Sequence, residues 1–137
     1  MAMKMAEKQR TPRSLPTVRR QPVPRPPQTI KSRLVAQVRQ RLGVSRKVLS
    51  RMTGFSERAI ADWEGGKPVS QAGLRKIKEL ERFQAQLAEV VDAGTIPEWL
   101  QTPNDAFDGL MPLEVMERGQ MDRLWRMIFF LESGVPS

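Results

Sequence analysis

Apolar residues recur every three or four positions from Ile30 to Leu131, and Gly, Pro and Ser punctuate the intervals. That period predicts an all-α fold. Ile30, Leu34, Val38 and Leu42, with Val35 beside them, form a first stripe that Gly43 ends. A short second pattern carries Val48, Leu49 and Met52 on one face. Gly54 follows, where a turn takes positive φ without a Cβ penalty. Ser56 is a good N-cap for a third helix whose inward face is Ala59, Ile60 and Trp63. Gly65 and Gly66 stop it. Ser70 then caps a long pattern through Leu74, Ile77, Leu80, Phe83, Leu87 and Val90–Val91, expected to end near Ala93–Gly94. This helix outruns a compact four-helix core by about two to three turns. The surplus stripe must pack on the C-terminal segment or on a second subunit.

The remaining segment is more broken. Pro97 opens a short helix through Leu100, and Pro103–Asn104 turns the chain, with Asn104 capping or closing that turn. Gly109 and Pro112 bracket another turn. A helix over Pro112–Arg118 is broken by Gly119. A last helix over Gln120–Glu132 places Met121, Leu124, Trp125, Ile128 and Leu131 on one side, and Gly134 ends it. Five of the chain's eight aromatic residues lie here: Trp99, Phe107, Trp125, Phe129 and Phe130. Trp99, Leu100, Leu113, Leu124 and Ile128 are expected in the core, since so small a unit needs its large side chains to close. The apolar Met127–Leu131 run cannot hide every face, which makes Arg126, Phe129 and Phe130 interface candidates.

Composition narrows the function. The chain has 137 residues, no Cys and no His. Disulfides, thiol nucleophiles, zinc fingers and imidazole acid–base chemistry are therefore excluded. No apolar run is long enough to span a membrane, and the basic N-terminus lacks the apolar region of a secretory signal, so a cytoplasmic protein is expected. Carboxylates are present, but no nucleophile, metal set or phosphate loop accompanies them. No enzymatic activity, cofactor or metal is expected.

The net charge of +8 is unevenly spread. Residues 1–29 carry +6, residues 30–91 carry +7 and residues 92–137 carry −5. A basic front suits a polyanion, and an acidic back suits a protein. Residues 1–29 also hold six of the eleven prolines and too few apolar residues to bury a face. They read as a disordered basic arm, either a tether that adds phosphate contacts, a minor-groove arm, or a solvated leader.

Two short helices about a Gly-containing turn make a helix-turn-helix, whose second helix enters the DNA major groove. Subtracting the inward residues leaves Glu57, Arg58, Ala61 and Asp62, with Ser56 at the helix start. Arg46 and Lys47 open the preceding helix and reach phosphate or a guanine edge, and Lys67 follows as a backbone clamp. Residues Arg46, Leu49–Ser50, Gly54–Phe55–Ser56, Ala59–Ile60, Trp63–Glu64 and Gly66 resemble the Xre, or lambda-repressor-like, helix-turn-helix. Arg46 stands where that family commonly has Gln, and Ser50 where it has Ala. Residues 30–91 are thus expected to be a DNA-binding domain.

Residues 92–137 resemble the Xre/MbcA/ParS-type toxin-binding domain. The resemblance rests on Trp99–Leu100, Pro103–Asn104, Phe107–Asp108–Gly109, Pro112–Leu113, Gly119, Leu124, Ile128 and Gly134. Phe107 replaces a common Leu, and the Phe129–Phe130 pair is bulkier than the pattern. The resemblance implies an antitoxin of a type II toxin–antitoxin pair. Its partner would be a RES-domain, NAD-degrading toxin whose active site it covers, and it would repress its own operon by binding double-stranded DNA. The family's mode of action adds the tail Ser133, Gly134, Val135, Pro136 and Ser137, which would enter a cleft, to Arg126, Phe129 and Phe130 as the toxin-binding candidates. A homodimer is expected, because one recognition helix covers a half-site. The alternatives are a repressor whose C-terminal domain dimerises or binds a non-toxin protein, and a nucleoid-structuring adaptor in which the basic arm dominates.

Overall fold

The computed structural model describes residues 29–134, and all regular structure within them is helical. The expected disorder of residues 1–29 lies outside that range except at Thr29, whose hydroxyl caps α1. Four helices come first: α1 (Ile30–Leu42), α2 (Arg46–Thr53), α3 (Glu57–Glu64) and α4 (Gln71–Val90). The hydroxyls of Thr29, Ser45, Ser56 and Ser70 each accept the backbone N–H three residues on. Each thereby satisfies a donor that the helix itself leaves unpaired. α5 (Ile96–Leu100), α6 (Pro112–Glu117) and α7 (Met121–Ser133) follow, with 3-10 turns at Ala93–Thr95 and Asp105–Phe107.

The inward face of α4 organises the packing. Ile77, Leu80, Phe83 and Leu87 are fully buried along it. Its contacts are with α1, which brings Val35, Val38 and Leu42, and with α7, which brings Leu124 and Ile128. The Phe83 ring lies 6.5 Å from Trp99 and 5.7 Å, edge-on, from Trp125. The surplus stripe of the long helix is therefore covered by the C-terminal segment of the same chain. α6 packs on α2, where Arg51 makes a two-pronged pair with Glu117 at 3.0 Å for each prong. One apolar cluster runs from Val35 to Ile128.

Several expectations need correction. Ile30 is 82% exposed, because it sits in the first turn of α1 beyond the elements that cover the helix. Ser32 fills the buried position there, with its hydroxyl 3.2 Å from Thr29 Oγ1. On α4 the stripe starts at Gly73 rather than Leu74, since the Trp63 ring lies where a larger side chain would go. α4 stops at Val90, not near Ala93–Gly94. Val91 is extended, and the 3-10 turn then carries Ile96 and Leu100 into the core, where a continued helix would take them past it. Trp99 is half-buried. Leu131 is 51% exposed, because α7 continues past the elements it packs on.

Gly43 shows how tightly the early and late segments meet. It closes α1 at φ 68°, with its N–H shared between the carbonyls of Arg39 and Gln40. The Pro97 ring of α5 occupies the space a Cβ would need. Gly43→Ala is expected to cost about 2–4 kcal/mol, from left-handed strain plus overpacking. Urea unfolding measures it; an unchanged midpoint would mean that the Pro97 segment is not docked on α1 in solution.

Candidate functional site

α2 and α3 meet at a turn that is fixed from both sides. Gly54 takes φ 83° and donates its N–H to Ser50 O at 2.8 Å. Ser50 Oγ donates to Phe55 O at 2.6 Å, and Phe55 N–H donates to Thr53 Oγ1 at 3.2 Å. The Phe55 ring then meets Trp63 edge-on at 5.2 Å. Leu49, Met52, Ile60 and Trp63 are buried, which turns the other side of α3 to solvent. Ser56, Glu57 and Arg58 are exposed there, while Ala61 and Asp62 are half-buried. Arg46 and Lys47 are exposed at the start of α2. Lys67 is exposed beyond α3, with Nζ 3.7 Å from Asp62 Oδ2. All eight sequence-derived candidates thus lie on the α2–α3 pair or its edge.

Arg46 is not a free cation, and the residue that holds it is one to which the sequence reading gave no role of its own. Glu64, in the last turn of α3, is only 6% exposed. Its Oε2 accepts from Arg39 Nε at 2.6 Å and its Oε1 from Arg39 Nη2 at 3.1 Å. Arg46 Nε donates to the same Oε1 at 2.8 Å. Arg39 also reaches Val44 O at 3.3 Å, so the start of α2 is tied to α1 and α3 at one point. Burial pushes the Glu64 carboxyl up, but the hydrogen bonds from Arg39 and Arg46 outweigh it and hold the group below its ordinary 4.5. The available signal was phase: Glu64 lies one turn after Ile60, on the inward side of an otherwise amphipathic helix.

The second candidate region is the far end of α7. Phe129 is 63% exposed and Phe130 42%, with their rings 5.8 Å apart edge-to-face. A groove of about 400 Å³ runs beside them, lined by Phe107, Arg123, Arg126, Met127, Phe130 and Leu131. Arg123 is spread over the Phe107 ring at 5.7 Å and donates to Gln120 Oε1 at 3.0 Å and Asp108 Oδ2 at 3.2 Å. Arg126 is exposed and only loosely held by Asp122 at 3.3 Å. Ser133 and Gly134 are exposed at the helix end. Val135, Pro136 and Ser137 lie outside the described residues. Arg123 joins this surface without having been singled out, and Met127 and Leu131 join it from the apolar run. Among the described residues no group of His, Cys, Asp and Glu is arranged to hold a metal, and no helix is long and apolar enough to cross a membrane.

Known proteins are similar to this chain in sequence and in fold. The mycobacterial cidal antitoxin MbcA of Mycobacterium bovis and of Mycobacterium tuberculosis is 26% identical over 97 residues, covering 70% of this chain and 86% of theirs. A chain of the crystal structure of the M. tuberculosis MbcT–MbcA toxin–antitoxin complex superposes with a TM-score of 0.66. That match has 24% sequence identity and spans 80% of this chain and 99% of the other. The chain is MbcA-like in sequence and in fold. No family model matches it.

The Glu64 clamp gives this MbcA-like chain a testable pH dependence. A carboxyl held below its unfolded value stabilises the fold at pH above that value, and the benefit is lost as pH falls through the lowered one. Glu64→Gln is expected to cost about 3 kcal/mol at pH 7, because it leaves two guanidiniums without their charge partner. Denaturant titrations should show that difference shrinking as pH drops below about 4.5. A difference that stays constant across pH would mean that Glu64 acts through packing alone.

Proposed function

We propose that this chain is the antitoxin of a type II toxin–antitoxin pair and that it works through two surfaces. Residues 92–137 form the toxin-binding unit. Through Arg126, Phe129, Phe130 and Ser133–Ser137 it covers the active site of a RES-domain, NAD-degrading toxin. Residues 30–91 form a helix-turn-helix unit that, as a homodimer, binds the operon's own promoter and represses it. Arg46, Ser56, Glu57, Arg58, Ala61 and Asp62 meet the DNA, and Lys47 and Lys67 hold phosphates. Glu57 and Asp62 accept from cytosine amino groups but repel phosphates, so their contribution is specificity. The observation that carries the reading is the uncovered aromatic end of α7 on a chain that is MbcA-like over most of its length. Exposed clustered aromatics beside an Arg are the usual anchors of a protein interface.

The two surfaces should separate by mutation. Arg58→Ala is expected to lower affinity for the promoter about tenfold, the size of one lost base contact, while toxin neutralisation stays intact. Loss of both activities in a folded variant would show that the two functions share a surface.

Phe129→Ala with Phe130→Ala should do the converse, costing about 2 kcal/mol or more per anchor in toxin affinity while DNA binding survives. These substitutions are preferable to truncation, since removing α7 would strip Leu124 and Ile128 from the core. The decisive experiment is capture of partners from the native host with the full chain as bait. A co-purifying, adjacently encoded protein that arrests growth and drains NAD supports the antitoxin. If the double variant instead abolishes self-association and no such partner appears, the chain is a plain repressor that dimerises through α7.

A further inference from the structure

We infer that the outer face of α4 is a second, sequence-independent contact for the nucleic-acid backbone. Arg75, Lys78 and Arg82 lie on that face at i, i+3 and i+7, and all three are exposed. This spacing keeps them in one stripe. A shallow groove is lined by Ala72, Arg75, Lys76, Lys78, Glu79 and Arg82, with the small Ala72 leaving room at one end.

The groove holds one acid, and that acid is occupied. Lys76 Nζ donates to Glu79 Oε1 at 3.1 Å, and Trp125 Nε1 donates to Oε2 at 3.5 Å. No carboxylate among the described residues pairs with Arg75, Lys78 or Arg82. Three free cations therefore point out of one stripe. Unlike Arg51 and Arg123, they have no carboxylate partner within the fold of the described residues. Self-repulsion of this kind is tolerated at small cost on a surface and is relieved by a polyanion.

Spacing favours a nucleic-acid strand as that polyanion. From Arg75 to Arg82 the helix rises about 10 Å, the axial length of about three nucleotide steps on one strand. A second copy of this chain is the other source of negative charge. Its exposed acids Asp92, Glu98, Asp105 and Glu132 make that an outcome the test has to separate. The contact is with phosphate rather than with bases, so it strengthens binding to every sequence alike. It does not depend on α3 reading a promoter.

The test uses the full chain and a random-sequence duplex, with affinity measured across a salt series. The triple variant Arg75→Gln, Lys78→Gln, Arg82→Gln should bind about tenfold or more weakly at low salt and flatten the log–log salt slope by about 2–3. Circular dichroism checks that it remains folded, as expected for three exposed side chains. The same losses on promoter DNA and on random DNA support a backbone contact. An unchanged slope in a folded variant overturns the proposal, and an unchanged slope with altered oligomeric state by gel filtration overturns it in favour of a second copy. Arg58→Ala separates this from the promoter reading. If Arg58→Ala leaves sequence discrimination unchanged while the triple variant still flattens the slope, the helix-turn-helix reading fails and the α4 contact stands.

Discussion

A twenty-residue helix with a single apolar face must cover that face along its whole length, and everything else in the fold answers to α4. A bundle of α1 to α4 covers only part of such a helix. Phe83 and Leu87 would stand in water, at roughly 1.5–3 kcal/mol for each large side chain left exposed. α7 supplies Leu124 and Ile128 against this stretch, and the Trp99 and Trp125 rings flank Phe83. That demand explains why residues 92–100 double back as they do. α4 must stop at Val90 so that Ile96 and Leu100 return to the core, and Pro97 then lies against Gly43 at the end of α1.

The buried carboxylate of Glu64 solves a different problem. α2 and α3 are eight residues each, too short to hold themselves in place by helix propensity. α2 also opens with two cations at its positive end and no acid, which the helix dipole disfavours. Glu64 offsets this by taking hydrogen bonds from Arg39 and Arg46 in a site almost closed to water. A buried ion pair is a poor source of net stability, because desolvation consumes much of the Coulombic gain. Its value here is geometric: one carboxylate fixes where α1, α2 and α3 meet.

Much of the fold was legible because its signals are local. Ser45, Ser56 and Ser70 cap where a hydroxyl before an apolar period should, and Gly43, Gly54 and Gly134 end helices in the left-handed conformation. What escaped was non-local. Ile30 and Leu131 are in phase with buried neighbours but lie beyond the reach of the covering helices, and phase alone carries no information on where cover ends. Trp63 displaces Leu74 from the stripe only because its ring lies over Gly73. The Glu64 clamp joins residues 18 and 25 positions apart, a separation at which a helical period says nothing about contact. That Glu57 and Arg58 face solvent was legible by subtraction from the inward face of α3. The groove beside α7 was not, since it needs the Asp105–Phe107 turn to approach Arg123 in space.

The end of α7 is where the chain departs from its own logic. Elsewhere among the described residues, Ile30 apart, the large apolar side chains are brought under cover, even at the expense of an abrupt stop in α4. Over its last turns α7 instead leaves Phe129, Phe130 and Leu131 at 63%, 42% and 51% exposure, side by side. Folding does not need them: Leu124 and Ile128 already complete the contact with α4. Exposed aromatics invite aggregation and add no stability to the isolated chain. Their benefit therefore has to come from something outside it. The neighbouring Arg126, held by one exposed acid at 3.3 Å, can be released to a partner at little cost. A surface of this composition is expensive to keep and cheap to bury, which is the energetic profile of a protein that reaches its final stability only in a complex.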